Sequence, residues 1–421
     1  MQNFLGMDGW NPLTRMENEH DMIVPAEYVV APAVCVRCGV VDPRLKKHGV
    51  QEQLFMDTPN QGKRVGIRVR RQRYKCYDCG GTFQQELPDM DDKHHMTKRL
   101  VRYVERRSIE RTFKEVSVDI GVDEKTVRNI FREHVAELNA GYWPLTPNFI
   151  GMDETKLAGQ MRCFMTNCSD RTLMDVLPKR DKATVTAWLM KRQLRELVEV
   201  AAMDMWRPYR DASLVALPNA VVVVDHFHVV KIANEALKGI LKNLRQGLAA
   251  RDRSKILRSR HLLLKRRRDL NEKEFAAMQA WTDAVPVLFA AYNAKEDFFD
   301  LYEYKTKEEA REYYEMWKAT IDPLAATAFA GLMHTIEDWK PEIFNYFDYR
   351  VTNAFTEGMN RVAKSIAEMG RGYSFEAIRA KILFGQAMHV KRPKFGEGEL
   401  TPVDDLGVSL PHLMEVFKPS H

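Results

Sequence analysis

Four of the chain's six cysteines fall in two pairs, Cys35-x-x-Cys38 and Cys76-x-x-Cys79. No other feature restricts the fold as tightly. Each pair sets two thiolates on one tight turn, and two such turns facing a single ion make the tetrahedral site that zinc takes. Gly39 follows the first pair and Gly80-Gly81 the second, which eases the positive φ angles such knuckles need. The long spacer fits a zinc ribbon with a β-hairpin extension better than a compact finger. Its middle, Arg64-Val-Gly-Ile-Arg-Val-Arg-Arg-Gln-Arg-Tyr74, alternates apolar and basic residues as a half-exposed strand does. Redox-active pairs are the competing reading, and two knuckles at this spacing argue against it. Cys163 and Cys168 sit in an apolar, strand-like run without a second pair and read as plain core or edge thiols.

At 421 residues the chain has room for several domains, and its 45% hydrophobic content is that of an ordinary globular protein. No window approaches the ~18 apolar residues of a membrane span. Met1–Asp21 has early acidic residues and no apolar signal core, so the expected location is the cytoplasm. The net charge of +6 is mild, but basic residues concentrate in Lys63–Lys75, Lys98–Lys114 and Arg251–Arg268. Such stripes suit a nucleic acid, because Lys and Arg release counterions from phosphate; solvated helix faces are the alternative.

The chain divides into an N-terminal extension (1–34), the ribbon (35–86), a helical segment (95–140), an α/β part (148–228), an all-α stretch (229–346), a second part of the α/β domain (347–390) and a tail (391–421). The helical segment has three pieces, Thr97–Arg107, Thr112–Ile120 ending at Gly121, and a third capped by Asp123. In the third, Val127, Ile130, Phe131 and Val135 recur at helical spacing, which turns Lys125, Arg128, Asn129 and Arg132 to the opposite face. Short helix, glycine-bearing turn and a helix with Arg and Asn outward make a helix-turn-helix, Arg and Asn being the types that bridge guanine and adenine edges. A three-helix linker is the alternative.

Past Trp143-Pro-Leu-Thr-Pro the pattern is β-β-β-α-β-α-β, the order of an RNase H-like domain. Three acids have distinctive settings in it: Asp153 in Phe149-Ile-Gly-Met-Asp-Glu, Asp204 in Val198-Glu-Val-Ala-Ala-Met-Asp-Met-Trp, and Glu357 in Thr352-Asn-Ala-Phe-Thr-Glu-Gly-Met-Asn. The first two end strand-like runs and the third lies on a helix. Converging carboxylates repel one another, and two divalent cations about 3.5–4 Å apart relieve that repulsion while gripping a phosphodiester. Taken singly, an Asp closing a strand is more often a turn or cap residue. From His228 to about Tyr346 the pattern is helical, with candidates at Lys231–Leu244, Arg251–Asp269, Glu272–Asn293 and Lys307–Ile321. Its basic run Arg258–Arg268 is a candidate contact for DNA or a second subunit.

The ribbon, the helix-turn-helix and a split α/β core together resemble bacterial insertion-sequence transposases of the DDE type, more narrowly the ISL3 family. The motifs that carry the resemblance are Gly151-Met-Asp153-Glu, Met203-Asp204-Met-Trp-Arg-Pro-Tyr209, Val224-Asp225-His-Phe-His228, Asn353-x-x-x-Glu357-Gly-x-Asn360 and Arg371-Gly-Tyr373. The likeness implies an α+β multidomain fold: zinc ribbon, helix-turn-helix, and an RNase H-like domain interrupted by an all-α insertion. It implies Asp153, Asp204 and Glu357 as ligands of Mg²⁺ or Mn²⁺, Zn²⁺ on Cys35, Cys38, Cys76 and Cys79, and Asp225 and His228 as a D-x-x-H accessory element. It further implies binding of terminal inverted repeats and target DNA, strand cleavage and transfer, a dimer or larger assembly when active, and a nucleoid-associated location. Asp225 rivals Asp204 for the second catalytic position. Helical spacing places Asn360, Arg361 and Lys364 on the face of Glu357, suited to a DNA phosphate, with Phe355, Met359, Val362 and Ile366 as anchors; pairing of Arg361 and Lys364 with Glu357 is the alternative. A DNA-binding regulator on a retired core, or a nuclease without strand transfer, would use the same parts.

Overall fold

Gln61 and Gly62 both hold positive φ, 53° and 75°, the twist that joins two strands without splaying them. They link β4 (Leu45–Asn60) to β5 (Lys63–Cys76) in an antiparallel hairpin. The computed structural model describes residues 5–246 and 261–387. The contacts of the described residues divide into two units: one takes in 5–142, Met369–Arg371 and 376–387; the other comprises the described residues of 143–368 and Gly372–Phe375.

In the first unit the hairpin lies within an eight-stranded sheet that also takes in β6 (Thr82–Gln84), β7 (Met90–Asp91) and β8 (Met96–Thr97). Along β5 the inward positions are Val65, Ile67, Val69 and then Arg71, every one at most 7% exposed. Burying such apolar side chains is worth about 1.5–3 kcal/mol each. A one-residue slip would put Arg68 and Arg70 inside instead, so the register is fixed. The same alternation turns Arg71 inward, where half-exposure was expected; it is satisfied by Asp92 at 2.8 Å and the Gln85 carbonyl at 2.7 Å. The first 34 residues offer little signal, yet they add three strands, β1 (Trp10–Pro12), β2 (Met16–Glu17) and β3 (Asp21–Tyr28). β3 runs parallel to β5 and buries Met22, Val24 and Ala26 against it.

Three capped helices follow. Thr97 caps α1 (Lys98–Glu110), a Thr112/Glu115 capping box opens α2 (Phe113–Ile120), and Asp123 caps α3 (Glu124–Gly141). Gly121 stops α2 in the left-handed region at φ 73°, and a Cβ there would lie 2.8 Å from Arg64 Cδ. Phe113 meets Phe131 edge to face at 4.9 Å, and Val127, Ile130 and Val135 are buried beside them.

The second unit is built on a five-stranded sheet, ordered β11-β10-β9-β12-β13. β9 (Phe149–Leu157), β10 (Gln160–Asn167) and β11 (Thr172–Leu177) form an antiparallel meander, with β12 (Val200–Met203) and β13 (Val221–Val224) added in parallel. Every residue of β12 is buried, as expected of a parallel strand covered on both faces. One face packs α4 (Lys182–Met190) and α5 (Arg207–Ala216) through Val185, Leu189, Tyr209 and Ala212. The other packs α6 (His226–Gln246) and the helices after it through Val200, Ala202, Val223 and Val229.

The expected single helix over Glu272–Asn293 is two, α7 (Glu272–Ala284) and α8 (Pro286–Asp300). Pro286 cannot donate into the preceding turn and starts a new helix instead. Helices α9 (Lys307–Thr320), α10 (Pro323–Asp338), α11 (Lys340–Phe344) and α12 (Tyr346–Tyr349) complete the stretch. Most of the Arg251–Asp269 candidate lies outside the described residues, as do the start of the basic run, Arg258–Arg260, and the tail beyond 387. The end of that run is already engaged: Arg266 pairs with Asp300 at 2.6 Å and Arg268 with Glu303 at 2.8 Å. The chain then forms α13 (Ala354–Met369) and α14 (Phe375–Ala387). Although α14 was grouped with the catalytic part, from Glu376 it packs within the first unit. There Lys381 donates to the carbonyls of Ser108 and Arg111 at the C-terminal end of α1, between the rings of Phe113 and Phe131. Those carbonyls have no partner inside their own helix, which is why a buried amine donor is accepted there.

Candidate active site

Met203 of β12 is paired in parallel with Met152 of β9. The next residue on each strand is therefore an aspartate beside an aspartate. Asp153 lies in the body of β9, not at its end, because the hairpin with β10 carries the strand on to Leu157. Asp204 is the first residue past β12. Asp153 is only 5% exposed. Burial pushes its carboxyl up to about 8, and the Asp204 charge adds to the shift.

α13 supplies the third acid, Glu357, from its first turn. Its buried residues are Thr356, Met359, Asn360 and Ala363, whereas Phe355 and Ile366 are half-buried and Val362 is 45% exposed. The burial stripe is thus rotated from the anchoring face expected, and Asn360 turns inward. Its amide Nδ2 donates to Asp153 Oδ2 at 2.7 Å, so Asn360 holds a carboxylate and not a phosphate. Arg361 and Lys364 are exposed, and among the described residues neither pairs with Glu357.

His228 stands between the acids. Its Nδ1 lies 2.7 Å from Asp204 and its Nε2 4.0 Å from Glu357. Burial pulls the imidazole down, but the hydrogen bond and charge of Asp204, with Asp153 and Asp225 beyond, outweigh it and bring it to about 9. A positive imidazolium thus offsets part of the local repulsion. Two sets of possible ligand atoms each gather within 4.8 Å: Asp153, Asp204 and His228, and Asp225, His228 and Glu357. The three acids do not meet as one set; His228 belongs to both. Asp225 differs from Asp204 in being fully buried, with its oxygens taking the backbone N–H groups of Phe227 at 3.1 Å and Asn353 at 2.9 Å.

Glu154, the neighbour of Asp153, points to the other side of the strand and pairs with Arg180. Arg180 in turn stacks over Trp206 at 4.0 Å, and Tyr209 is fully buried beside them, so the loop after Asp204 is braced. Glu154, Arg180 and Asn353 are not among the residues expected to serve the site. An Asn just ahead of a helix is a capping signal and could have flagged the last; nothing in the sequence points to Arg180.

The four thiols Cys35, Cys38, Cys76 and Cys79 also gather within 4.8 Å, with Cys35 and Cys79 sulfurs 3.9 Å apart. Tetrahedral zinc with bonds of about 2.3 Å requires sulfurs about 3.8 Å apart, so the donor set fits. Burial raises the Cys35 thiol, but the backbone N–H groups of Arg37 and Cys38 aimed at it prevail and bring it to about 7. On α3, Lys125 and Arg132 are exposed and Asn129 is half-buried. Arg128 is tied to Glu124 at 3.0 Å and lies over the Phe113 ring, so it is less free than its neighbours. Cys163 is buried and Cys168 partly so, without a cluster. Among the described residues no helix is long and apolar enough to cross a membrane.

Comparison with known proteins gives three family matches. Residues 150–382 match a family described as transposase, of the DDE type and ISL3 group. Residues 85–135 match the helix-turn-helix domain of transposase family ISL3, and 31–79 the zinc-finger of transposases of IS204, IS1001, IS1096 and IS1165. A protein of Bordetella parapertussis named as the transposase for insertion sequence element IS1001 is 23% identical over 352 residues, which is 81% of this chain and 85% of the relative.

Proposed function

Because the chain belongs to the ISL3 family of transposases, enzymes that bind DNA and catalyse its transposition, we propose that its cutting site is Asp153, Asp204 and Glu357 on an RNase H-like scaffold. The observation that carries this reading is the pairing of Met152 with Met203, which sets Asp153 beside Asp204 on adjacent strands. The sheet order, antiparallel meander first and two parallel strands after, supports the RNase H-like assignment, and the helices from α6 to α12 are the all-α insertion within it.

The carboxylate oxygens of Asp153, Asp204 and Glu357 suit hard divalent cations, Mg²⁺ or Mn²⁺. Bound there, they would supply Lewis-acid polarisation of the phosphodiester and a water of lowered pKa. Asp153, Asp204 and Glu357 hold them; Asn360 fixes the rotamer of Asp153, and His228 orients Asp204. Asp225, whose oxygens are taken by backbone donors, keeps a structural role at the start of α6. In the first displacement a water oxygen bonds to phosphorus and the 3′ oxygen leaves, freeing a 3′-hydroxyl. In the second, that hydroxyl attacks a phosphodiester of target DNA, whose own 3′ oxygen departs. Arg361 and Lys364, whose exposure on α13 supports this reading, contact DNA phosphates. Lys125, Asn129 and Arg132 on α3, with Arg128 as a lesser contact, read the terminal inverted repeats, and Zn²⁺ holds the ribbon that supports them. Joining two ends in one event calls for a dimer or larger assembly.

The test is cleavage of duplex DNA carrying the sequences that flank the gene, in Mg²⁺ or EDTA, by wild type, Asp204→Asn and Asp225→Asn. Metal-dependent nicks at a discrete boundary, abolished in Asp204→Asn and retained at reduced rate in Asp225→Asn, are expected. Binding without any nick would favour a regulator, and nicks without joined products a simple nuclease.

A further inference from the structure

Asn353 is fully buried, and its backbone N–H, its backbone carbonyl and its side-chain amide N–H reach toward the candidate site, while its Oδ1 accepts from Cys168 Sγ at 4.0 Å. Its side-chain Nδ2 donates to the carbonyl of Met152 at 2.9 Å and, more weakly, to that of Ala202 at 3.4 Å. Met152 immediately precedes Asp153, and Ala202 lies two residues before Asp204. The backbone N–H of Asn353 donates to Asp225 Oδ2 at 2.9 Å, and its backbone carbonyl accepts the N–H of Glu357 at 3.0 Å. One side chain thus bridges both acid-bearing strands at the point where their pairing ends, while its backbone opens the helix that delivers Glu357.

Space for this amide is made by the absence of a side chain at Gly151. A Cβ there would lie 2.8 Å from Asn353 Oδ1 and 2.5 Å from Thr166 Oγ1. One turn along α13, the hydroxyls of Thr356 and Thr166 meet at 2.7 Å, so the helix is held to β10 as well. A cap that served only the helix would bond its own first-turn N–H groups. Asn353 spends its side chain on the sheet instead.

We infer that Asn353 is a positioning residue for strand cleavage: it sets where α13 presents Glu357 relative to Asp153 and Asp204. The inference rests on the triad reading above. A carboxylate misplaced by about 1 Å costs on the order of a hundredfold in rate, because attack requires aligned reacting atoms. Thr352-Asn353 precedes Glu357 by a single helical turn, so a small tilt there is passed directly to the carboxylate.

The experiment compares the full-length chain with Asn353→Ala, Asn353→Ser, Asn345→Ala and Asp153→Asn. Asn345 is the control: its amide also donates to a strand carbonyl, that of Val222 at 2.9 Å, but it touches none of the acids. Thermal unfolding, affinity for the flanking-sequence duplex, and cleavage rate against Mg²⁺ concentration are measured for each. Asn353→Ala is expected to bind the duplex as wild type does, to cleave about a hundredfold more slowly, and to need several-fold more Mg²⁺ at the midpoint. Asn345→Ala is expected to lower the melting temperature and leave the Mg²⁺ midpoint unchanged. Ser is a tolerated residue ahead of a helix, so Asn353→Ser carries the same test should the alanine variant fail to fold. Cleavage by the folded Asn353 variants within twofold of wild type, or a loss that tracks only their folded fraction at an unchanged Mg²⁺ midpoint, overturns the inference. Should Asp153→Asn still cleave, it is the triad reading that falls, whatever Asn353 does.

Discussion

Each unit of this transposase gathers groups that repel one another when ionised, four thiols in the first and carboxylates in the second, and the two do so by opposite routes. The thiols come from two short knuckles, each closed by its own glycine and its own backbone N–H groups, Gly39 N–H to Cys35 O at 2.8 Å and Gly80 N–H to Cys76 O at 2.9 Å. The acids come from a strand, a strand end and a helix spread over about two hundred residues, joined by sheet register, by His228 and by the bonds of Asn353, Thr356 and Asn360. The thiol site is local and its partners are close in sequence within each pair. The acid site exists only if the second unit is folded. It follows that the first should answer to its metal and the second to its scaffold.

The largest effect expected tests the thiol half. Cys76→Ser should lose zinc, at a cost on the order of 10 kcal/mol of ribbon stability. A colorimetric zinc assay and calorimetry would register this as loss of a low-temperature transition, with the melting of the second unit unmoved. A shared, single transition that shifts as a whole would break the contrast between the units. Next in size, Asp153→Asn or Glu357→Gln should slow cleavage at least about a thousandfold, roughly 4 kcal/mol of barrier. End binding should stay unchanged, and the melting temperature should hold or rise because repulsion is relieved.

Lys381 sharpens the comparison through pH. Burial holds its ammonium at about 7 in the fold, against 10.5 when free, and the charge of Glu115 only partly opposes this. Between those values the unfolded chain binds a proton that the folded chain does not. Stability of the first unit should therefore rise with pH across that window, by an amount on the order of a few kcal/mol, and be flat below it. Lys381→Met should flatten the dependence in chemical denaturation between pH 7 and 10. The smallest effect belongs to a cap: Thr112→Ala, which breaks the α2 capping box, should cost about 1 kcal/mol. Duplex affinity measured alongside would fall if the orientation of α2 matters to reading DNA.

Much of this architecture was legible from residue pattern because it depends on neighbours in the chain. The knuckles, the cap at Asp123, the stop at Gly121 and the buried face of α3 all obey local rules, and the family matches agree with the ribbon and helix-turn-helix they define. The acids were visible as residue types in context. Their partners were not. Asn360 has the helical spacing of a surface residue and turned out to hold Asp153, because the angle at which α13 packs decides which stripe is buried. Arg71 follows the β5 alternation inward only because Asp92 and the Gln85 carbonyl wait there. The first three strands carry too little periodicity to be seen before β5 is available to pair with them.

Sequence alone determined the short-range chemistry: which thiols share a turn, where helices start and stop, and which acids are available. The tertiary structure decided which of those acids stand side by side, since the pairing of Met152 with Met203 and the bonds of Asn353 join residues from distant parts of the chain. The physical reason is that a cap or knuckle is satisfied within a few residues of backbone, whereas a buried carboxylate site is stable only when strands, helix and amide donors from separate segments are all in place to hold it.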